Sequence, residues 1–181
     1  MAKRDKKTIT LGSGIPYIME FTGTLPSRTD ICKSENLLGY VKGGAALEYT
    51  FEPYKEQDDL GYVSKEIVQA EEAKLKLGLL TWNGDTLTKL VDRCTVTEAA
   101  GVRTILLGGA GNAQGKQWVV CFHHPDKKTG DLWATVVGNN SAGLTLTFAA
   151  DAGTVLEPEI SAVPHDDNGT LVKVEEEIAA S

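Results

Sequence analysis

Apolar residues fall on every second position through most of the chain. Between Gly44 and Pro53, Ala45, Leu47, Tyr49 and Phe51 alternate with Glu48, Thr50 and Glu52, which predicts a strand with one apolar and one wet face. The same period runs through Ala73, Leu75, Leu77 and Leu79, with Glu72, Lys74 and Lys76 between them. It returns at Trp118, Val120 and Phe122, at Leu132, Ala134 and Val136, and at Leu144, Leu146 and Phe148, and the stretch from Leu171 to Val174 opens a last, charge-rich strand. Turn-forming clusters at 108–112, 125–131, 138–140 and 165–169 separate these segments, so the C-terminal half reads as an antiparallel meander and the glycines from Gly108 onward as a hairpin turn. Only one segment has helical spacing: Leu87, Leu90, Val91 and Cys94 lie at i, i+3, i+4 and i+7. Asn83 stands as N-cap, and Asp85 and Arg93 have the signs that suit the helix dipole. The pattern predicts one domain, mainly β, in which a single helix over 83–94 covers one apolar face of a sheet.

One stretch does not read as core. From 54 to 69 the chain is polar (Lys55, Glu56, Gln57, Asp58, Asp59, Ser64, Lys65, Glu66) yet carries Leu60, Tyr62, Val63, Ile67 and Val68. As a loop it is longer than a simple connector, and loops of that length are usually functional or ordered by a partner.

The chain has 181 residues, of which 41% are hydrophobic and 24% charged, an ordinary globular composition that excludes disorder, collagen and coiled coil. A chain of this size buries on the order of 70% of its unfolded surface, enough for one core without staples. The formal charge of −7 makes the body a poor binder of nucleic acid, whose affinity for proteins comes largely from phosphate neutralisation. The only basic run, Lys3, Arg4, Lys6 and Lys7, is followed by Thr8, Thr10, Gly12, Ser13 and Gly14 rather than by the apolar stretch of a signal peptide. No apolar run approaches the roughly 20 residues of a membrane span. The expectation is a subunit made in the cytoplasm with no membrane binding of its own. Cys32, Cys94 and Cys121 are odd in number and widely spaced, which suggests neither a disulfide framework nor a zinc site.

Candidate chemistry is sparse. The cluster from Gly108 to Lys116 lacks phosphate-loop spacing, because Ala110 stands where the first glycine belongs and Gln117 where Ser or Thr would bind magnesium. His123 and His124 are neighbours on a strand, so they point to opposite faces and cannot share a metal. Trp82, Trp118 and Trp133 read as core or interface before they read as a sugar platform. No catalytic, cofactor or metal site is expected, and no enzyme.

In their order, these features resemble the major tail tube proteins of long-tailed, siphovirus-like bacteriophages and prophages of Gram-positive bacteria. The resemblance rests on Leu11-Gly12-Ser13-Gly14, Met19-Glu20-Phe21, Asn36-Leu37-Leu38-Gly39-Tyr40, Gly43-Gly44-Ala45 with Leu47-Glu48-Tyr49, and Asp58-Asp59-Leu60-Gly61 with Val63-Ser64-Lys65. It continues through Thr81-Trp82-Asn83-Gly84, Arg103-Thr104, Gly108-Gly109, Val137-Gly138-Asn139, Ala142-Gly143, Phe148 and Glu175-Glu176-Glu177-Ile178, and so spans nearly the whole chain.

Such a resemblance implies a β-sandwich or barrel-like subunit, six of which close into a ring whose inner sheets form one continuous β-barrel. Rings stack into the tail tube of the virion, through which genomic DNA passes without specific binding. The family's ring-stacking element is a long loop that matches 54–69 in position, which assigns Tyr54, Asp58, Asp59, Leu60, Tyr62 and Val63 to contacts with the next ring. Residues 1–10 are expected to be a flexible arm that orders on assembly. Partners implied are further copies of the chain, a tape measure protein that sets length, and tail tip and tail terminator proteins. Six copies carry −42, and an acidic lumen lets DNA slide. Alternation alone leaves open which strand faces line it. Rival readings are the inner tube of a contractile tail, a tailocin or a secretion-like machine, and a monomeric β-sandwich carbohydrate-binding module.

Overall fold

The computed structural model describes residues 12–127 and 130–178. The expected N-terminal arm, 1–10, lies outside them. The described chain is mainly β. Nine strands run in the order β1 (Ile15–Glu20), β2 (Val41–Gln57), β3 (Ser64–Leu79), β4 (Cys94–Ala99), β5 (Val102–Leu107), β6 (Trp118–His124), β7 (Leu132–Asn140), β8 (Glu159–Ala162) and β9 (Val172–Glu176). Two helices accompany them, α1 (Arg28–Ile31) before β2 and α2 (Gly84–Leu90) after β3.

Seven strands form one open, antiparallel sheet in the order β1-β6-β7-β8-β3-β2, with β9 also on β7. The sheet forks at β7: residues 132–136 pair with β9, and Gly138 to Asn140 pair with β8. Gly138 sits at the fork because a Cβ there would lie 1.9 Å from the Ser161 carbonyl oxygen of β8. β4 and β5 form a separate two-stranded sheet, and neither sheet closes into a barrel.

Both faces of β6 and β7 are covered. On one face Ile18, Leu75, Leu77, Leu79, Val120, Val136 and Ile160 pack with Leu87 and Leu90 of α2. On the other, Val119, Cys121, Trp133 and Val137 pack under Ile31 and the residues flanking α1. This double coverage explains the near-continuous apolar run in β6, the pattern of a strand buried on two sides.

The alternating segments before Pro53, from Ala73 to Leu79, at 118–122, at 132–136 and after Leu171 are all strands. Several expectations need correction. The stretch 54–69 is not a loop: β2 continues through Tyr54 to Gln57, β3 begins at Ser64, and only 58–63 form the turn. The helix expected over 83–94 ends at Leu90, because Val91 takes an extended conformation and Cys94 is buried as the first residue of β4 rather than on a helical face. It is also not the sole helix, since α1 forms a single turn capped by the Ser27 side chain. The residues 138–140 continue β7 instead of turning. The Gly108 cluster is a connection from the small sheet to β6, with a short 3-10 turn at Ala110–Asn112. Leu144 to Phe148 is no strand; Leu144 and Leu146 pack on the core from an irregular segment, while Phe148 is exposed.

Candidate assembly surface

The residues of the assigned stacking segment form the far end of a projecting arm. β2 and β3 pair from Val41↔Leu79 to Gln57↔Ser64, but every residue from 45 to 72 is exposed. Packing therefore stops at Ala73, although the ladder of backbone hydrogen bonds continues. Two irregularities shape the arm. At its root, Lys42, Gly43 and Gly44 oppose the single residue Gly78, with Gly43 and Gly44 at φ 87° and 80°, a conformation that favours glycine. Further out, the register shifts between Glu52 and Pro53, leaving Gln69 as the extra residue of β3.

That second bulge shifts the phase of β3 but not of β2, so beyond it Val68 joins Pro53 on the face of Phe51. Before it, Leu47, Tyr49 and Phe51 share the face of the buried Ala73, Leu75 and Leu77, with the Tyr49 and Phe51 rings 6.4 Å apart. Tyr49 donates a hydrogen bond of 2.8 Å to the Glu71 carboxylate on the same face, which raises the phenol pKa. Beyond the bulge, Tyr54 and Ile67 are paired on the opposite face. The Tyr54 hydroxyl donates to Glu56, which raises its pKa.

The other face of the arm is charged. Glu48, Thr50, Glu52 and Glu56 of β2 stand beside Lys65, Glu72, Lys74 and Lys76 of β3, with Glu159 of β8 next to the two central lysines. Lys76 lies 2.9 Å from Glu48 and 3.6 Å from Glu159; Lys74 lies 2.9 Å from Glu72 and 3.2 Å from Glu159. Hydrogen bonding from Lys74, then the nearby lysine charges, holds Glu159 below the usual carboxylate range. Its carboxylate partners raise both lysines, Lys74 through Glu72 first and Lys76 through Glu48 first. Five carboxylates against three ammonium groups leave this face at −2.

The turn at the tip is fixed by Asp58. Its carboxylate accepts from the Val63 amide at 2.6 Å and the Leu60 amide at 3.3 Å, while its own amide donates to the Val63 carbonyl at 3.1 Å. Leu60, Tyr62 and Val63 are 76%, 84% and 71% exposed, so an ordered turn holds three large apolar side chains in water. Asp59 lies exposed in the same turn. Among the assigned residues, Asp59, Leu60, Tyr62 and Val63 thus share the tip, Asp58 orders it, and Tyr54 stands apart on the charged face.

A second projecting element went unrecognised in the sequence. β4 and β5 join through Ala100 and Gly101, both at positive φ. One face of this hairpin is tied to α2 by Arg103, which lies 2.5 Å from Glu98 and 3.6 Å from Asp85. The other face carries Thr95, Thr97, Ala99, Val102, Thr104 and Leu106, all exposed and none charged. Alternation in Thr95-Val96-Thr97 and Thr104-Ile105-Leu106 was its available signal.

The remaining candidates are internal. Trp133 is buried, with Arg28 4.6 Å from the ring centre and His123 stacked on it at 5.0 Å. Trp82 donates to the Thr154 carbonyl, and Trp82 and Trp118 pack half-buried on the core, so the tryptophans form no shared platform. His123 and His124 diverge: His123 bonds Asp131 at 2.8 Å, and His124 Nδ1 donates to the Ser13 carbonyl at 2.7 Å. Among the described residues no cluster of His, Cys, Asp or Glu could hold a metal ion, and no helix is long and apolar enough to cross a membrane. Comparison with protein-family models and with curated protein sequences finds no match to this chain.

Proposed function

We propose that this chain is the structural subunit of a phage tail tube: six copies close into a ring, rings stack head to tail, and the channel delivers the genome. The observation that carries this reading is the arm from 45 to 72, a ladder two strands wide with both faces in solvent and an apolar tip. An isolated two-stranded hairpin is marginal in water, and a long exposed edge with apolar side chains invites pairing with another chain. In a monomer these features are liabilities, whereas in a polymer they are interfaces.

Two more features favour a ring. Among the described residues β2 ends the large sheet with no strand on its outer edge, and the β4–β5 hairpin is a sheet of its own with no further strand beside it. Pairing these edges between copies contributes four strands per subunit to a common barrel. At about 4.8 Å per strand and a tilt near 40°, a ring of six is about 50 Å across at the backbone. One arm face is continuous with the core, so the charged face, at −2 per copy, is the one that turns to the lumen. A net acidic wall repels phosphate and keeps DNA from sticking.

In this reading the tip residues Leu60, Tyr62 and Val63 bury on the next ring. Head-to-tail stacking has no natural stop. A tape measure protein, tail tip proteins and a terminator set its length and ends, and the virion tail is the site of action. No catalytic step is involved.

The test is sedimentation velocity over a concentration series, comparing the protein with the double variant Leu60→Asp, Tyr62→Asp. The unaltered protein is expected to form species in multiples of six that lengthen with concentration. The variant is expected to keep its circular dichroism and Tm but to stop at single rings or monomers. Assembly of the variant like the parent contradicts the stacking role of the tip.

A further inference from the structure

The chain contains two Asn-Gly pairs, Asn83-Gly84 and Asn168-Gly169, and the fold treats them in opposite ways. In such a pair the glycine nitrogen reaches the asparagine side-chain carbon readily, because glycine has no Cβ to hinder the approach and its backbone turns freely. In a folded protein the reaction then depends on how firmly the side chain and that nitrogen are held.

Asn83 is held. Its side-chain oxygen caps α2 by accepting from the Thr86 amide at 3.0 Å, and its own amide donates to the Thr86 hydroxyl at 3.3 Å. Gly84 is buried as the first residue of α2, and a Cβ there would lie 2.4 Å from Cδ of Arg103. Turning the Asn83 carboxamide onto the Gly84 nitrogen therefore gives up the cap.

Asn168 is not held. It stands with Gly169 in the turn between β8 and β9, both exposed. Its backbone amide donates to the Asp166 carboxylate at 3.0 Å, but among the described residues its side-chain amide has no partner. The Asp166 carboxylate also takes the Thr170 amide at 2.9 Å, and the Asp166 carbonyl takes the Gly169 amide at 3.1 Å. Only that last bond, at an exposed turn, ties the nitrogen that must attack, and a Cβ on Gly169 would meet nothing within 4 Å.

We propose that Asn168 is a site of spontaneous deamidation, which converts it to aspartate and isoaspartate while Asn83 stays intact. The Gly169 nitrogen gives its proton to solvent base and bonds to Cγ of Asn168, and the side-chain nitrogen leaves as ammonia. The product is a five-membered succinimide. Water then opens the ring at one of its two carbonyls: cleavage at Cγ restores the original backbone with an aspartate, and cleavage at the main-chain carbonyl leaves the chain running through the side chain as isoaspartate. One water enters, one ammonia leaves and nothing is oxidised or reduced, so the sequence balances. Either product takes the chain from −7 to −8. The new carboxylate arises at a groove that Asn168 lines with Leu47, Tyr49, Glu71 and Val174, so it adds like charge beside Glu71 on the arm. Isoaspartate also inserts a backbone carbon between the two amides that Asp166 holds.

The experiment is incubation of the dilute full-length protein at mildly alkaline pH, followed by digestion and mass spectrometry with electron-transfer fragmentation, which separates aspartate from isoaspartate. The expected result is conversion at Asn168 roughly tenfold or more faster than at Asn83, whose reaction first gives up an N-cap. In denaturant the two rates should converge, and Asn168→Asp should abolish the early rise in intact mass of the folded protein. Equal rates in the folded protein, a faster Asn83, or a preference for Asn168 that persists in denaturant each overturns the assignment. Its failure leaves the assembly reading untouched, since the modification is read on the dilute chain.

Discussion

Single residues decide where the chain may approach itself and where it may turn. Gly138 is the sharpest case, because the absent Cβ is the space that the Ser161 carbonyl occupies. Gly138→Ala should therefore cost about 2–4 kcal/mol in urea unfolding, since backbone rather than a flexible side chain must give way. Gly111→Ala, which meets open space, should stay within about 0.5 kcal/mol. Asp58 has the opposite profile. Asp58→Ala removes the acceptor of two amides at an exposed tip, costing about 1 kcal/mol locally. Faster amide exchange at Val63 with an unchanged global Tm is the expected signature, because the turn lies in the exposed run from 45 to 72, away from the core that begins at Ala73.

Acid sensitivity also belongs to single residues. The His123 hydrogen bond, then the Asp126 amide, holds Asp131 below the usual carboxylate range, and Lys74 does the same for Glu159. A carboxyl lowered in the folded state binds protons more weakly than in the unfolded chain. Its stabilisation is complete above the ordinary carboxylate range and is lost as pH falls through the folded pKa. Thermal unfolding of Asp131→Asn against the parent checks this: the gap between their Tm values should be widest near neutral pH and close toward pH 3.

At the scale of elements, the connection through 108–117 stabilises more than its glycine content suggests. The Gln114 amide lies 3.0, 3.5 and 3.1 Å from the carbonyls of Thr88, Val91 and Cys94, and so covers the C-terminal end of α2 and the start of β4. Gln114→Ala should cost roughly 1–3 kcal/mol, read by denaturant titration, because it leaves part-buried carbonyls without a donor. Elements were legible in the sequence where one face is core: Ala73 to Leu79 alternate because alternate residues are buried. They were illegible where that cause is missing. Among the described residues the outer strands pair only with each other, and beyond the bulge apolar residues stand on both faces, Val68 on Phe51's and Tyr54 with Ile67 on the other, so a continuous strand looks like an irregular loop. The β4–β5 hairpin escaped notice because its turn uses Ala100 at φ 51°, where asparagine or aspartate is the usual signal, and because Cys94 completes an apparent helical repeat. Leu144 to Phe148 alternates like a strand but is irregular, with Leu144 and Leu146 covering the core without a ladder and Phe148 left exposed.

At the scale of the molecule, the surface proposed for assembly stands out in the sequence as an anomaly, apolar residues stranded in a polar stretch. Its geometry adds a length. The strand from Ala45 to Gln57 spans about 40 Å at the rise of an antiparallel strand, which in the proposed tube caps the distance over which one ring reaches the next. The most direct measurement is electron microscopy of the purified protein at increasing concentration, with mass from light scattering on the same samples. The account predicts hollow six-fold tubes with an axial repeat no longer than about 40 Å, in which residues 45–72 are buried between subunits. Monomers at every concentration, or an assembly that leaves the arm in solvent, would contradict it.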